Sequence, residues 1–131
     1  GICPPGWHIP TDEEWKILEG HVDTQYPVGD PEWDGTSWRG YDAGKRLRAT
    51  SGWYDDGNGS DFFGFSALPG GIYGSPGSFL WQAYDSYWWS SNEDINSSGH
   101  AYYRDIYYNR DDISRSSFQK VFALSVRCLK D

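Results

Sequence analysis

Tyrosine, aspartate, serine, asparagine and arginine crowd into residues 101–117, AYYRDIYYNRDDISRSS. These side chains suit recognition better than bond-breaking. Tyr presents a flat face and a hydroxyl while immobilising only two torsions, Ser and Asn adapt their hydrogen bonds, and Arg anchors; antibody-like surfaces use this palette. If the stretch forms a strand, alternate side chains face opposite ways. Tyr103, Asp105 and Tyr107 then share one face, and Tyr102, Arg104, Ile106 and Tyr108 the other. The competing reading is a polar strand whose tyrosines fill an aromatic shell.

A second cluster, WYDDGNGSDFFG over residues 53–64, offers hard oxygen donors at Asp55, Asp56, Asn58 and Asp61, with glycines that permit a tight turn. That is calcium-loop chemistry, with Asp30 and Asp34 able to join if the fold brings them close. The spacing lacks the terminal Glu of an EF-hand, and Asp/Asn/Gly loops also serve as plain turns or cap local amides. No other cofactor is indicated. Catalysis finds little footing: His8, His21 and His100 are scattered, no Gly-x-Ser-x-Gly elbow occurs, and without a cleft no two carboxylates can be paired as acid and base. The chain is read as a non-enzyme.

Cys3 and Cys128 stand at opposite ends of the 131-residue chain. A disulfide between them would close a very long loop, worth roughly 4–5 kcal/mol in the chain-entropy model, and would place the protein in an oxidising compartment. The alternative is two buried free thiols.

The elements that must position these groups are short. Thr11-Asp-Glu-Glu is a capping box, and Trp15, Leu18 and Val22 fall on one helical face, so a helix is expected over 12–21. A second is expected over 41–49, YDAGKRLRA, with its basic residues late, where the helix dipole favours them. Strands are expected at 87–92, 101–109 and 122–130, separated by Gly/Ser/Asn turns. Two helices followed by short strands and long loops imply one α+β domain over residues 1–131. Trp33, Trp38 and Trp81 lie in loop contexts and are candidates for stacking on a glycan. Trp7, Trp15, Trp53, Trp88 and Trp89 are expected to be buried. Arg104 and Arg127 stand beside apolar residues on expected strands and need acidic partners, with Asp61 and Glu14 as candidates.

Aromatic residues make up 18% of the chain, with 8 Trp and 10 Tyr, and the formal net charge is −8. The negative charge and scattered Lys and Arg argue against nucleic acid and anionic membranes as partners. No apolar run is long enough to span a bilayer.

Six segments stand in order: CPPGWHIPTDEEW, DAGKRLRATSGW, GFSALPGG, YWWSSN, AYYR and SVRCLKD. Over nearly its whole length the chain resembles the Fibrobacter succinogenes major paralogous domain, found in surface proteins and lipoproteins of Bacteroidetes and Fibrobacteres. That family is similar to the C-type-lectin-like fold, in the branch shared with formylglycine-generating enzymes. The resemblance implies two helices flanking small antiparallel sheets, long loops and termini close together. It also implies the C-terminal part of a longer cell-surface protein, a lipoprotein or a pilus-associated module. Ala123 departs from the family, which has Gly there. The lectin motifs for calcium-dependent sugar binding (Glu-Pro-Asn, Gln-Pro-Asp, Trp-Asn-Asp) are absent, as is the reactive cysteine pair of the formylglycine-generating relatives.

The same branch includes variable proteins of diversity-generating retroelements, which display Asn, Tyr, Asp and Ser on a rigid scaffold. Residues 92–123 resemble such a region. The family pattern keeps Tyr102 and Arg104, which places their face inward and the Tyr103 face outward. Interleaved with the family residues are the expected ligand-binding positions: Asp94, Asn96, His100, Tyr103, Asp105, Tyr107, Asn109, Asp111, Asp112, Ser114, Ser116 and Ser117. The expected function is capture of a protein or surface glycan by this face, with a structural surface module as the alternative.

Overall fold

A computed structural model describes residues 1–74 and 77–131. The chain is α+β. Helix α1 spans Asp12–Val22 and α2 spans Ala43–Leu47, with single 3-10 turns at Pro31–Asp34 and Tyr54–Asp56. The strands are β1 (Trp7–His8), β2 (Ser37–Arg39), β3 (Ile72–Gly74), β4 (Ser78–Leu80), β5 (Asp85–Glu93), β6 (His100–Tyr107), β7 (Ile113–Gln119) and β8 (Leu129–Lys130). They form an antiparallel four-stranded sheet in the order β2-β7-β6-β5 and two small antiparallel ladders, β1-β8 and β3-β4.

The first helix begins where its capping box demands. The Thr11 hydroxyl accepts from the Glu14 amide, and the Glu14 carboxylate accepts from the Thr11 amide at 2.8 Å. Trp15, Leu18, Glu19 and Val22 then face the sheet at the spacing of one helical stripe. Asp23, just past the helix end, turns its carboxylate onto the amides of Tyr41, Asp42 and Ala43, and so caps α2 from outside. The core is built mainly from Trp15, Val22, Trp33, Leu47, Trp53, Trp88, Ile106 and Ile113. Gly44 lets α2 press against the β6–β7 turn: a Cβ there would lie 2.2 Å from the Asp112 carbonyl oxygen.

Cys3 and Cys128 form a disulfide with Cα atoms 5.8 Å apart. Beside it Trp7 pairs with Lys130 and His8 with Leu129. Among the described residues no helix is long and apolar enough to cross a membrane.

Three expectations change. The second helix is shorter, Ala43–Leu47. The segment 122–130 is largely irregular, touching neighbouring strands only at the single bridges Tyr73–Ala123 and Trp88–Ser125 before β8. Its course carries Cys128 back to Cys3, which a continuous ladder along β5 would not allow. Besides the short strands β1 to β4, the sequence does not announce β7, ISRSSFQ. Its core-facing positions after Ile113 are Arg115 and Ser117, so the apolar alternation that marks a half-buried strand is missing.

Candidate ligand-binding face

The two faces of the four-stranded sheet differ in chemistry. The inner face carries Arg39, Trp88, Arg104, Ile106, Ile113 and Arg115 toward α1. Three arginines there meet two carboxylates from the helix. Arg39 donates to Glu19 at 2.6 Å, Arg104 bonds both Glu19 and Asp12, and Arg115 holds Asp12 with its Nε and Nη2 at 2.7–3.1 Å. Burial alone would raise Asp12, but Arg115 and Arg104 outweigh it and hold the carboxyl at about 2. Burial raises Glu19, against the pull of Arg104 and Arg39. These partners replace the Asp61 and Glu14 expected for Arg104. Arg127 stacks on Phe65 and donates to its carbonyl. The network clamps the sheet to α1, so its other face rests on a rigid base.

That open face is read from the register. Asp85, Tyr87 and Trp89 of β5 stand opposite Tyr107, Asp105 and Tyr103 of β6; Asp105 and Tyr103 stand opposite Ser114 and Ser116 of β7; Trp38 of β2 lies beyond Ser114. Aromatic rings run across it in sequence. Trp81, 54% exposed, lies 6.4 Å from Tyr87; Tyr87 lies 5.7 Å from Tyr103; Tyr103 contacts Trp89 at 6.4 Å and Phe118 at 6.2 Å; Phe118 reaches Phe122 at 4.4 Å. Most of these pairs fall in the separation range of favourable aromatic contacts.

Asp105 sits on the inner strand β6 and Asp85 at the start of the edge strand β5, 8% and 6% exposed. Cross-strand neighbours two residues out of register on one face are within reach of each other, and the two carboxyls hydrogen-bond. Asp105 Oδ1 is buried and finds no N–H or O–H donor of the protein, and a proton held between the pair would satisfy it. Burial, and then the charge of Asp85, push Asp105 up to about 8; burial pushes Asp85 up to about 6, with Asp105 and Tyr87 pulling it back by hydrogen bonding. The two values belong to the pair, which therefore carries about one proton near neutral pH. Burial and the carboxylates likewise raise the Tyr87 and Tyr103 hydroxyls.

Both folded-state values lie above those of the unfolded chain, so the folded protein binds more protons over this interval. The contribution is fully present below about pH 4 and is lost as pH rises through about 6 to 8. Urea denaturation between pH 5 and 9 should show stability falling by about 5 kcal/mol from this pair, an order of magnitude set by linkage. Asp105→Asn should flatten that fall; an unchanged slope in the variant would remove the shared proton.

The twelve expected binding positions separate into four groups. Tyr103, Asp105, Tyr107, Ser114 and Ser116 share the open face. Asp94 and Asn96 belong to the β5–β6 loop at one end, with His100 opening β6 beside them, and Asn109, Asp111 and Asp112 to the β6–β7 turn at the other; Ser117 of β7, expected on the binding face, instead faces inward opposite Tyr102. Several of these are occupied in holding the turns. Asp94 accepts from Ser117 Oγ at 2.6 Å on the core side and from the Asn96 amide at 3.0 Å. Asp112 takes a two-pronged bond from Arg110, and the Asp111 carbonyl accepts from Lys45.

The calcium loop is committed locally. Asn58 accepts from the Trp53 amide and donates to Asp56, while Asp61 accepts from the Ser66 amide and hydroxyl, both at 2.6 Å. Among the described residues no three acidic, His or Cys side chains are grouped to hold a metal ion; Asp55, Asp56 and Asp61 instead take left-handed turn conformations.

Of the expected glycan-stacking tryptophans, Trp33 is corrected: it is buried, with its indole N–H on the Pro27 carbonyl at 3.0 Å. Trp38 stacks under Arg110, and Trp81 is exposed. Trp7, expected inside, is exposed, and Trp89 lies on the open face. The sequence reading also passed over Asp85, Tyr87 and Phe118 as site residues. The signal for Tyr87 was the alternation of Tyr87 and Trp89 around the core residue Trp88, next to a strand with the same alternation.

A family model described as the Fibrobacter succinogenes major domain matches residues 1–130. No curated protein matches the chain, and no solved structure does.

Proposed function

We propose that this chain, which belongs to the Fibrobacter succinogenes major domain family, is a non-catalytic ligand-binding domain of an extracellular surface protein, and that it captures its ligand on the open face of the four-stranded sheet. The observation that carries this reading is the run of rings Trp81, Tyr87, Tyr103, Trp89 and Phe118 over a sheet whose opposite face is locked by buried ion pairs. Large rings with few torsions bind at low entropic expense when their backbone is already fixed. The surface is broad and shallow, which fits a protein or a surface glycan better than a small metabolite. The disulfide is in keeping with an oxidising, extracellular setting. Both cysteines are engaged in it, which weighs against a formylglycine-generating type of chemistry. The C-type-lectin-like relationship and retroelement diversification of residues 92–123 are the finer form of this proposal, since five of the diversified-looking positions share the open face.

The test is capture. The domain, screened against glycan arrays and displayed peptides, should yield a ligand whose affinity falls at least about tenfold with Tyr103→Ala or Trp81→Ala, the loss expected of a central aromatic anchor. Ile17→Ala, on the exposed side of α1, should leave it unchanged. A ligand indifferent to Tyr103 and Trp81 would move the site elsewhere, and a domain that captures nothing would be a structural surface module.

A further inference from the structure

Four carboxyl groups among the described residues are less than a tenth exposed: Asp12, Glu19, Asp85 and Asp105. The first two are satisfied by arginines from the sheet. The other two have no basic residue in contact. The nearest cation to register on Asp105 is Arg110 at the edge of the face, and it is already engaged, stacked on Trp38 and bonded to Asp112 at 2.8–2.9 Å. The groups facing the pair are Tyr87 of β5, Tyr103 and Tyr107 of β6, and Ser114 and Ser116 of β7. A buried carboxylate without a partner is unfavourable. Here two lie side by side beneath tyrosine rings at the β5–β6 seam, with one oxygen lacking any donor from the protein.

Building on the proposed binding face, we infer that Asp85 and Asp105, walled by Tyr87, Tyr103 and Tyr107, form a receptor for a cationic side chain, a guanidinium or ammonium group presented by a protein partner. The two carboxyls supply hydrogen-bond acceptors at the floor, and the tyrosine rings supply π faces at the sides. Carboxylate and ring attract the same cation. The half-buried tyrosines part to admit it. The shared proton is the place-holder: the arriving cation replaces it, and the proton leaves to solvent. A neutral glycan stacking on the same rings would release none.

The experiment compares N-acetyl-arginine methylamide with its neutral isostere N-acetyl-citrulline methylamide. Titration calorimetry at pH 7 in two buffers of different ionisation heat measures protons released, and ring NMR resonances of Tyr87 and Tyr103 report the place. The arginine compound should bind with release of up to one proton, and the citrulline compound at least about tenfold more weakly. Asp105→Asn, and independently Asp85→Asn should the first misfold, should abolish the difference. Equal binding of the two compounds, or binding without proton release, overturns the inference and leaves the face free to bind another ligand. A Gly/Ser peptide with one central arginine should bind more tightly than methylguanidine; equal affinities would assign the site to a small cation instead. Tyr103→Ala should weaken every ligand of the face, whereas the two Asn variants should weaken only cations, so the two proposals fail separately.

Discussion

Glu19→Ala is expected to lower stability by about 3–5 kcal/mol, the range for removing one member of a buried ion pair. Glu19 is fully buried and receives Arg39 at 2.6 Å and Arg104 Nε, both less than a tenth exposed. The loss leaves three arginines facing Asp12 alone. Two of them would then lie in the interior with an unanswered charge. A domain of this size has a total stability of roughly 5–15 kcal/mol, so the variant is expected to melt about 10–20 °C lower or not to fold at all. Glu19→Gln should be milder, because the amide oxygen can still accept from one guanidinium. Urea midpoints of the two variants check this; a loss under about 1 kcal/mol for Glu19→Ala, the level of an exposed pair, would show that water reaches the network. Because this network anchors the sheet from behind, the open face should lose its alignment together with stability.

What was legible in the sequence follows the range of the interactions involved. The first helix was legible because its start is set by residues three apart, Thr11 and Glu14, and its inner stripe by Trp15, Leu18 and Val22. The disulfide was legible because two cysteines leave one pairing. The inward face of β6 was legible once Tyr102 and Arg104 were fixed, since strand geometry then dictates the rest. Long-range pairing was not. Arg104 sits 85 residues from Glu19 and 92 from Asp12, and no local pattern selects those two among 19 acidic residues. Nor did β7 show itself, because its interior side chains after Ile113 are an arginine and a serine whose partners, Asp12 and Asp94, come from other elements. Trp33 sat in a Pro/Gly/Asp-rich loop and looked exposed, but the 3-10 turn capped by Asp30 rolls it into the core. The candidate site was half legible. Tyr103, Asp105 and Tyr107 came from the alternation of one strand; Asp85, Tyr87 and Trp89 needed the register of the next, and only that register brings the two aspartates together.

Removing the terminal disulfide should have the other large effect, and its size tests how the ends of the chain are held. Cys3 and Cys128 are 125 residues apart in sequence, so the link restricts nearly the whole unfolded chain, about 4–5 kcal/mol in the loop-entropy model. The folded state keeps other contacts at the same place. Asp131 donates its amide to the Gly6 carbonyl at 3.0 Å, and His8 bridges Asp131 at 2.6 Å and Glu14 at 3.0 Å. The hydrogen bonds from Asp131 and Glu14 raise His8 above its ordinary value. A raised histidine stabilises most at low pH, and the contribution fades as pH climbs through its folded value. A Cys3→Ser/Cys128→Ser variant should therefore lose about 2–5 kcal/mol by urea denaturation, with amides of β1 and β8 showing lower protection, relative to their intrinsic exchange rates at each pH, above neutral pH than below. In the oxidised protein the covalent link holds the ends whatever the charge on His8, and that pH dependence at β1 and β8 should vanish. Equal protection at all pH values in the variant would show that the two-residue ladder alone holds the ends; a midpoint unchanged by the double substitution would show that the unfolded chain already keeps its termini together.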